Sequence, residues 1–397
     1  MKKRTSFLML LTAAALLVFQ IFMNVREGES GEGFRLAAYS VTLVTVVSVI
    51  CRLMARQPAK TEGKMACTAD INPDSGDEDN ATYSSLLVVW AMLSVIFICM
   101  MLPAAREWIV KIRPEKEYLF PLWILGIFPF FVSWISERMI REKEKKRREI
   151  YTASIVLVSQ IGFFVFQRMP FEYFTTMGLM YVSTFWIMRR IINHRNPDNK
   201  ERFPYTVLII ATAVSTLIYS EFNVYILGDS YDSMLWTGIS RSRLRMGLLK
   251  PLLTNAHIIK AFDFDIRQLN DGIQSYLGSF KENIEAYPVR LILYRYGWAP
   301  AILYLVLIGL FLFYCVRTVI NIKICDSRYG LIYAVAVVFL AFQICIATMG
   351  SFGVMEHYMS MPFSDTLSCT QDSIILAVLL DGSVRRTRHQ TVIKELV

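Results

Sequence analysis

Arginines and carboxylates suited to phosphate and proton chemistry are concentrated in one polar stretch, residues 222–297. Arg241, Arg243 and Arg245 would share one face of an extended segment, whereas in a helix only Arg241 and Arg245 would do so. Guanidinium groups bind phosphate oxygens in a bidentate manner. The cluster predicts a site for a lipid headgroup or an isoprenyl diphosphate, and a solvated face that touches ordinary phospholipid headgroups is the alternative.

Glu282 and Glu285 lie three residues apart in the same stretch, on a predicted amphipathic helix. The apolar residues of that helix recur at steps of three and four: Ile266, Leu269, Ile273, Tyr276, Leu277, Phe280 and Ile284. General-base chemistry at the two carboxylates is one interpretation. A solvated helix face is the other, with the helix resting on the membrane-spanning helices or in the membrane interface.

Asp372, next to Gln371, is a carboxylate inside an apolar segment. Such a residue costs about 2.5–3.5 kcal/mol on insertion scales, so it usually faces a cavity or a partner. A hydrated position high in the helix is the alternative. The histidines are scattered without the spacing of metal ligands: His194, His257, His357 and His389. We therefore expect no metal and no other cofactor.

The composition is that of a polytopic, all-α integral membrane protein. The chain has 397 residues, of which 54% are hydrophobic and 13% aromatic, and a mean hydropathy of +0.41. Its net charge of +9 comes from short basic blocks between apolar stretches, a pattern that holds loops on the cytoplasmic side. The charge therefore predicts topology and not nucleic-acid binding, and the seven cysteines suggest no disulfide framework.

The hydropathy pattern predicts about ten transmembrane helices with both termini in the cytoplasm. They cover approximately residues 5–24, 36–54, 84–103, 119–136, 150–167, 171–188, 205–219, 298–316, 331–349 and 366–384. No small-x-small cleavage site follows the first apolar stretch, so we interpret it as a transmembrane helix and not as a signal peptide. With ten transmembrane helices, every basic loop lies on the cytoplasmic side of the membrane. These loops include ERMIREKEKKRRE after the fourth helix and RRTRH at the C-terminus.

The same pattern divides the chain into five regions. They are a first transmembrane hairpin (1–54), a disordered cytoplasmic linker (55–83), helices three to seven (84–221), a large extracytoplasmic loop with the amphipathic helix (222–297), and helices eight to ten with a cytoplasmic tail (298–397).

Three motifs resemble those of the bacterial shape, elongation, division and sporulation (SEDS) family, which includes FtsW, RodA and SpoVE. AAREWIVKIRPEKEY is similar to the GxRRWI…QPSE signature and retains Arg106, Trp108, Ile109, Pro114 and Glu117, while Glu107 replaces an arginine. YDSMLWTGISRSRLRMG is similar to QSLIAIGSGGLFGKG, retaining Ser233 and Gly238. MPFSDTLSCTQDSIILAVLLDGSVRR is similar to LPFISYGGSS…LLSISRR, retaining Pro362, Phe363, Ser368, Arg385 and Arg386 without the glycine pair.

The resemblance implies a function in cell division, cell shape or sporulation at the bacterial cytoplasmic membrane. This family is a peptidoglycan glycosyltransferase family that extends glycan strands from the undecaprenyl-linked precursor lipid II, usually with a class B penicillin-binding protein. Its catalytic aspartate falls on Ala286 here, so Glu285 or Glu282 would have to serve as the base. The substrate-binding residues that we expect are Arg106, Trp108, Arg241, Arg243, Arg245, Ser368 and Asp372.

Two alternatives to the enzyme remain open. A catalytically inactive membrane scaffold for a penicillin-binding protein is consistent with Ala286. A lipid or solute transporter is less well supported, because no internal repeat is evident in the sequence. In each case membrane lipids surround the protein.

Overall fold

A computed structural model describes most of the predicted membrane-spanning part of the chain. The described residues are 2–26, 30–55, 116–142, 144–166, 171–195, 204–227, 289, 292–293, 296–325, 330–351 and 359–396. They contain no β-strand and form the helices α1 (Lys2–Arg26), α2 (Ser30–Ala55), α3 (Lys116–Leu122), α4 (Phe128–Arg141), α5 (Lys145–Val165), α6 (Phe171–Arg195), α7 (Tyr205–Leu227), α8 (Trp298–Ile322), α9 (Gly330–Ser351) and α10 (Thr366–Leu396).

Six stretches of these helices are long and apolar enough to cross a membrane. They are Thr5–Met23, Leu119–Arg141, Lys145–Val165, Trp298–Ile322, Gly330–Ser351 and Thr366–Val384. Shorter apolar stretches occur in α2 (Gly33–Val49) and α7 (Tyr205–Tyr219). The all-α, multi-pass character predicted from the sequence is confirmed. The count of ten and the side of the termini stay predictions, since the third predicted span (84–103) lies outside the described residues.

Several helices extend beyond the apolar stretch that predicted them. Helix α2 begins at Ser30, α6 ends at Arg195, and α10 continues to Leu396. Hydropathy locates the part of a helix that lipid can surround, whereas Lys, Arg, Gln and Glu are good helix formers that prolong it into water. Helix α7 likewise runs to Leu227, into the region predicted to be the large loop.

Long-range hydrogen bonds show that α1, α8 and α10 share one end of the bundle. The Asn321 amide donates to the Thr5 hydroxyl (3.4 Å), which joins the end of α8 to the start of α1. The hydroxyls of Ser6 and Ser383 are 2.6 Å apart, which brings α10 to the same place.

This end of the bundle is basic and aromatic. Four guanidinium groups lie over rings, namely Arg138 over Trp134, Arg189 over Tyr205, Arg190 over Trp186 and Arg317 over Phe313. Arg195 joins three elements, because it donates to Glu137 of α4 (2.5 Å) and to the carbonyl of Cys325 after α8 (2.6 Å). Arginine and aromatic residues together are typical of a membrane interface, and the positive-inside rule predicts that this end is cytoplasmic.

The opposite end is defined by contacts of α1 and α2 with the start of α10. Gln20, near the end of α1, donates to the carbonyl of Ser364 (3.4 Å). The hydroxyl of Tyr39 on α2 lies 3.0 Å from that of Thr370. We call this the distal end, and it is where the polar residues of α10 begin.

Helix α9 occupies the centre of the described bundle. It packs against α8 and α10 on one side and against α4 and α6 on the other. Helices α1 and α2 complete the first group, and α5 and α7 complete the second. Because both groups rest on α9, its residues are buried over most of its length.

A π-helical turn between α3 and α4 shapes the aromatic core of the second group. The turn, Trp123–Ile127, follows Pro121 and precedes Pro129, and each proline lacks the N–H that a regular helix would use there. The turn directs the Trp123 indole toward the hydroxyl of buried Tyr181, to which it donates (2.8 Å). The ring of Phe128 packs on the same tyrosine, with centroids 4.1 Å apart.

Gly162 on α5 leaves the room that this hydrogen bond needs. A Cβ at position 162 would lie 2.6 Å from the Trp123 indole nitrogen and would overlap the Tyr181 hydroxyl. A Cβ at Gly309 on α8, by contrast, would have no atom within 4 Å. The two glycines therefore offer a matched comparison.

We expect Gly162→Ala to destabilise the protein by about 1–3 kcal/mol, because the buried Tyr181 and the partly buried Trp123 must move away from the new methyl group. Gly309→Ala should leave stability unchanged or raise it slightly, since alanine favours a helix by about 1 kcal/mol over glycine. Thermal unfolding of the two purified variants, followed by tryptophan fluorescence, measures the difference. Equal melting temperatures for the two variants would contradict this account of Gly162.

Candidate intramembrane polar site

The start of α10 is fixed by a reciprocal pair of hydrogen bonds between Asp365 and Ser368. The Asp365 carboxylate accepts the Ser368 N–H (2.6 Å), and the Ser368 hydroxyl accepts the Asp365 N–H (3.0 Å). The same hydroxyl also accepts the N–H of Ser364 (3.0 Å). The sequence thus supplies acceptors for N–H groups that the first turn of a helix leaves without partners.

One turn further along, Asp372 holds the chain that leads into α10. Its Oδ2 accepts the backbone N–H of Phe363 (2.9 Å), and the side chain is fully buried. Phe363 has a φ of 59°, in the left-handed region that bulky residues avoid at a cost of roughly 1–2 kcal/mol. The hydrogen bond to Asp372 and the packing of the Phe363 ring near Phe311 (centroids 5.7 Å apart) keep it there.

Gln343 joins this arrangement from α9. Its amide nitrogen donates to the carbonyl of Ser360 (3.2 Å) and makes a longer contact of 3.4 Å with Asp372 Oδ2. Gln343 is also fully buried. The central helix therefore contacts both α10 and the segment that precedes α10 through one side chain.

Three polar atoms at this place are buried without a hydrogen-bond partner among the described residues: Asp372 Oδ1, Gln343 Oε1 and the Tyr304 hydroxyl. Tyr304 comes from α8, is 1% exposed, and lies close enough to Asp372 to interact with it electrostatically. Native proteins leave few buried polar atoms unsatisfied. We call Asp372, Gln343 and Tyr304 the Asp372 site.

The Asp372 site lies within the bundle, toward its distal end. Asp372 is six residues after Thr366, which corresponds to roughly 9 Å along the axis of α10. On the side of α2, the Ser373 hydroxyl donates to the carbonyl of Ser40 (3.3 Å), and both side chains are buried. Asp372 is thus buried within the protein.

The structure describes two of the predicted site residues, Ser368 and Asp372. Both lie in the first two turns of α10, where Ser368 caps the helix and Asp372 holds Phe363. Seven predicted site residues lie outside the described part of the chain: Arg106, Trp108, Arg241, Arg243, Arg245, Glu282 and Glu285. Their assignments stay predictions.

Sequence reasoning did not single out Gln343 or Tyr304. Gln343 carried a readable signal, because it is a lone amide in the apolar run LAFQICIA. Tyr304 carried none, since a tyrosine in an apolar span is common and its burial against α10 depends on the tertiary packing. The pattern of residue types likewise cannot indicate that the backbone N–H of Phe363 bonds to Asp372.

The Asp372 site offers oxygen atoms as ligands, namely those of one carboxylate, one amide and one tyrosine hydroxyl. In the described ranges no group of three or more His, Cys, Asp or Glu side chains could hold a metal ion. The site therefore suits a small cation or a hydrogen-bonding ligand better than a transition metal.

No protein-family model matches the chain, and no curated protein matches it. The Asp372 site is therefore identified by the geometry and burial of its residues.

We expect Ser368→Ala to lower the free energy of unfolding by about 1 kcal/mol, because two N–H groups lose their acceptor. Thr42→Ala is the control, since the Thr42 hydroxyl is exposed and bonds only to the carbonyl of Ala38 in its own helix. Thermal unfolding of both variants provides the measurement. Unchanged stability of Ser368→Ala together with weakened ligand binding would instead make Ser368 a substrate contact.

Proposed function

We propose that this protein is a divergent relative of FtsW, RodA and SpoVE that acts in bacterial cell-wall synthesis with lipid II as its ligand. The observation that carries the proposal is the segment resembling the LPFISYGGSS…LLSISRR ending. Two of its residues take part in hydrogen bonds at the start of α10: Phe363 donates its N–H to Asp372, and the Ser368 hydroxyl accepts the N–H of Ser364. The multi-pass helical architecture is compatible with a ligand that lives in a membrane.

The reaction that we propose is glycosyl transfer from lipid II to a growing glycan strand. The sugar 4-hydroxyl of the acceptor attacks the anomeric carbon, the bond to the diphosphate breaks, and undecaprenyl diphosphate leaves. A base must accept the hydroxyl proton, and Glu285 or Glu282 has that role in the proposal. Arg241 and Arg243 offset the charge on the departing diphosphate.

A second candidate is a scaffold that binds lipid II and a class B penicillin-binding protein without catalysis. The observation favouring it is Ala286, which stands where the related proteins have their aspartate, since alanine cannot accept a proton. The two candidates share binding and differ in turnover.

Labelled lipid II, added to the purified chain in proteoliposomes, separates these functions. We expect the wild type to form glycan polymer that is visible on a gel. The rate of polymer formation should fall at least 100-fold in the Glu282→Gln/Glu285→Gln double variant. Lipid II binding without polymer supports the scaffold. Neither binding nor polymer, in the presence or absence of a class B penicillin-binding protein, would exclude both.

Arg241→Gln/Arg243→Gln is expected to weaken lipid II binding about tenfold or more, because two charge-assisted contacts to the diphosphate are lost. Arg317→Gln is the matched control, since that arginine lies over Phe313 at the basic end of the bundle. Binding is measured by titration of the purified variants in nanodiscs. An equal loss in the control would show only a general effect of positive charge.

A further inference from the structure

The Asp372 site contains more hydrogen-bond acceptors than donors. The two donors that reach Asp372, the N–H of Phe363 and the amide nitrogen of Gln343, both approach Oδ2. Asp372 Oδ1 and Gln343 Oε1 remain without partners. Each is bonded to the same carbon as an atom of the 3.4 Å contact, so the two unpartnered oxygens belong to side chains that touch each other.

The charge at this place is also unbalanced. None of the ion pairs formed by the described residues involves Asp372. Among the described residues, the ionisable groups close enough to act on Asp372 are Asp365, Cys369 of α10, and Tyr304 and Cys315 of α8. None of these groups carries a positive charge, and α9 contributes the neutral Gln343. A fully buried carboxylate without a cation is strongly disfavoured.

We propose that the Asp372 site binds one monovalent cation, a proton or Na⁺, with Asp372 Oδ1 and Gln343 Oε1 as its oxygen ligands. A proton on Oδ1 would turn an acceptor into a donor for the amide oxygen of the contacting side chain. A sodium ion would be coordinated by the same two oxygens, which are the hard ligands that such ions prefer. In both cases one positive charge satisfies two buried oxygens and neutralises the carboxylate.

The remaining groups define the size and charge of the cation. The Tyr304 hydroxyl supplies a further unpartnered oxygen from α8. Asp365, the nearest other carboxylate along the chain, is already engaged by the Ser368 N–H and the Ser360 hydroxyl. A single available carboxylate matches a single charge, and a divalent ion would leave the buried site positive.

Sodium is tested by the thermal stability of the full-length protein in nanodiscs, with NaCl exchanged for choline chloride at constant ionic strength. A ligand that binds only the folded state raises the melting temperature as its concentration rises. We expect this rise in the wild type and in Asp381→Asn, a control on the same helix at a second buried carboxyl. It should vanish in Asp372→Asn and require about tenfold more Na⁺ in Gln343→Leu.

The proton is tested on the same samples by infrared spectroscopy. If Na⁺ has no effect on stability, we expect the C=O stretch of a protonated buried carboxyl, present in the wild type and Asp381→Asn and absent from Asp372→Asn. A sodium effect that persists in Asp372→Asn, or the absence of both signals from the wild type, would overturn the proposal. If Asp372→Asn does not fold, Gln343→Leu decides the proposal: a sodium requirement and a C=O band that both stay unchanged in that variant would overturn it.

This cation site does not depend on lipid II. A chain that neither binds nor polymerises lipid II would still show the sodium or proton signal, so the two proposals fail separately.

Discussion

A carboxyl group buried in an apolar bundle has to be satisfied by atoms that the protein itself positions, because lipid and packed apolar side chains cannot do so. Asp372 imposes this constraint on four parts of the molecule. It accepts the N–H of Phe363, contacts Gln343 of α9, faces Tyr304 of α8, and lies one residue before Ser373, which bonds to α2. The packing of α10 follows from meeting these requirements together.

Because α9 is central, its contact with Asp372 links the buried carboxyl group to the rest of the bundle. Gln343 lies on the helix against which both groups pack, α1, α2, α8 and α10 in one and α4 to α7 in the other. Its amide reaches both α10 and the carbonyl of Ser360, so a displacement of α10 along α9 would break buried hydrogen bonds before it changed apolar packing. Buried polar contacts of this kind select one register of helices, whereas apolar contacts tolerate sliding.

The sequence predicted the helical class and the six apolar stretches that are membrane-length helices in the described part of the chain, because hydropathy depends on composition over about 20 residues. It also predicted that Asp372 lies inside a span, and the structure places it in full burial. It did not predict the helix ends, which extend into charged segments, as at Arg195. Nor did it predict the π-helical turn at Trp123, where the two flanking prolines were the only local signal.

The candidate site was harder to predict than the fold for a physical reason. Asp372 stood out because a charge in an apolar run is costly, but the groups around it are a neutral amide, a tyrosine and a backbone N–H from three other segments. Such groups have no periodicity of their own, and only tertiary packing decides which of them meet. The start of α10 illustrates the converse, because Asp365, a residue type preferred at helix N-caps, directly precedes the helix and accepts the Ser368 N–H.

The left-handed backbone at Phe363 and the presence of Asp372 have one structural explanation. The segment MPFSDTLSC lacks glycine, yet the chain passes through a left-handed residue at Phe363. Glycine would adopt that conformation without strain, whereas phenylalanine needs compensation. The bond from Phe363 to Asp372 and the cap formed by Asp365 and Ser368 supply it. Polar side chains thus stabilise the turn into α10 here, and their burial creates the unbalanced acceptors of the Asp372 site.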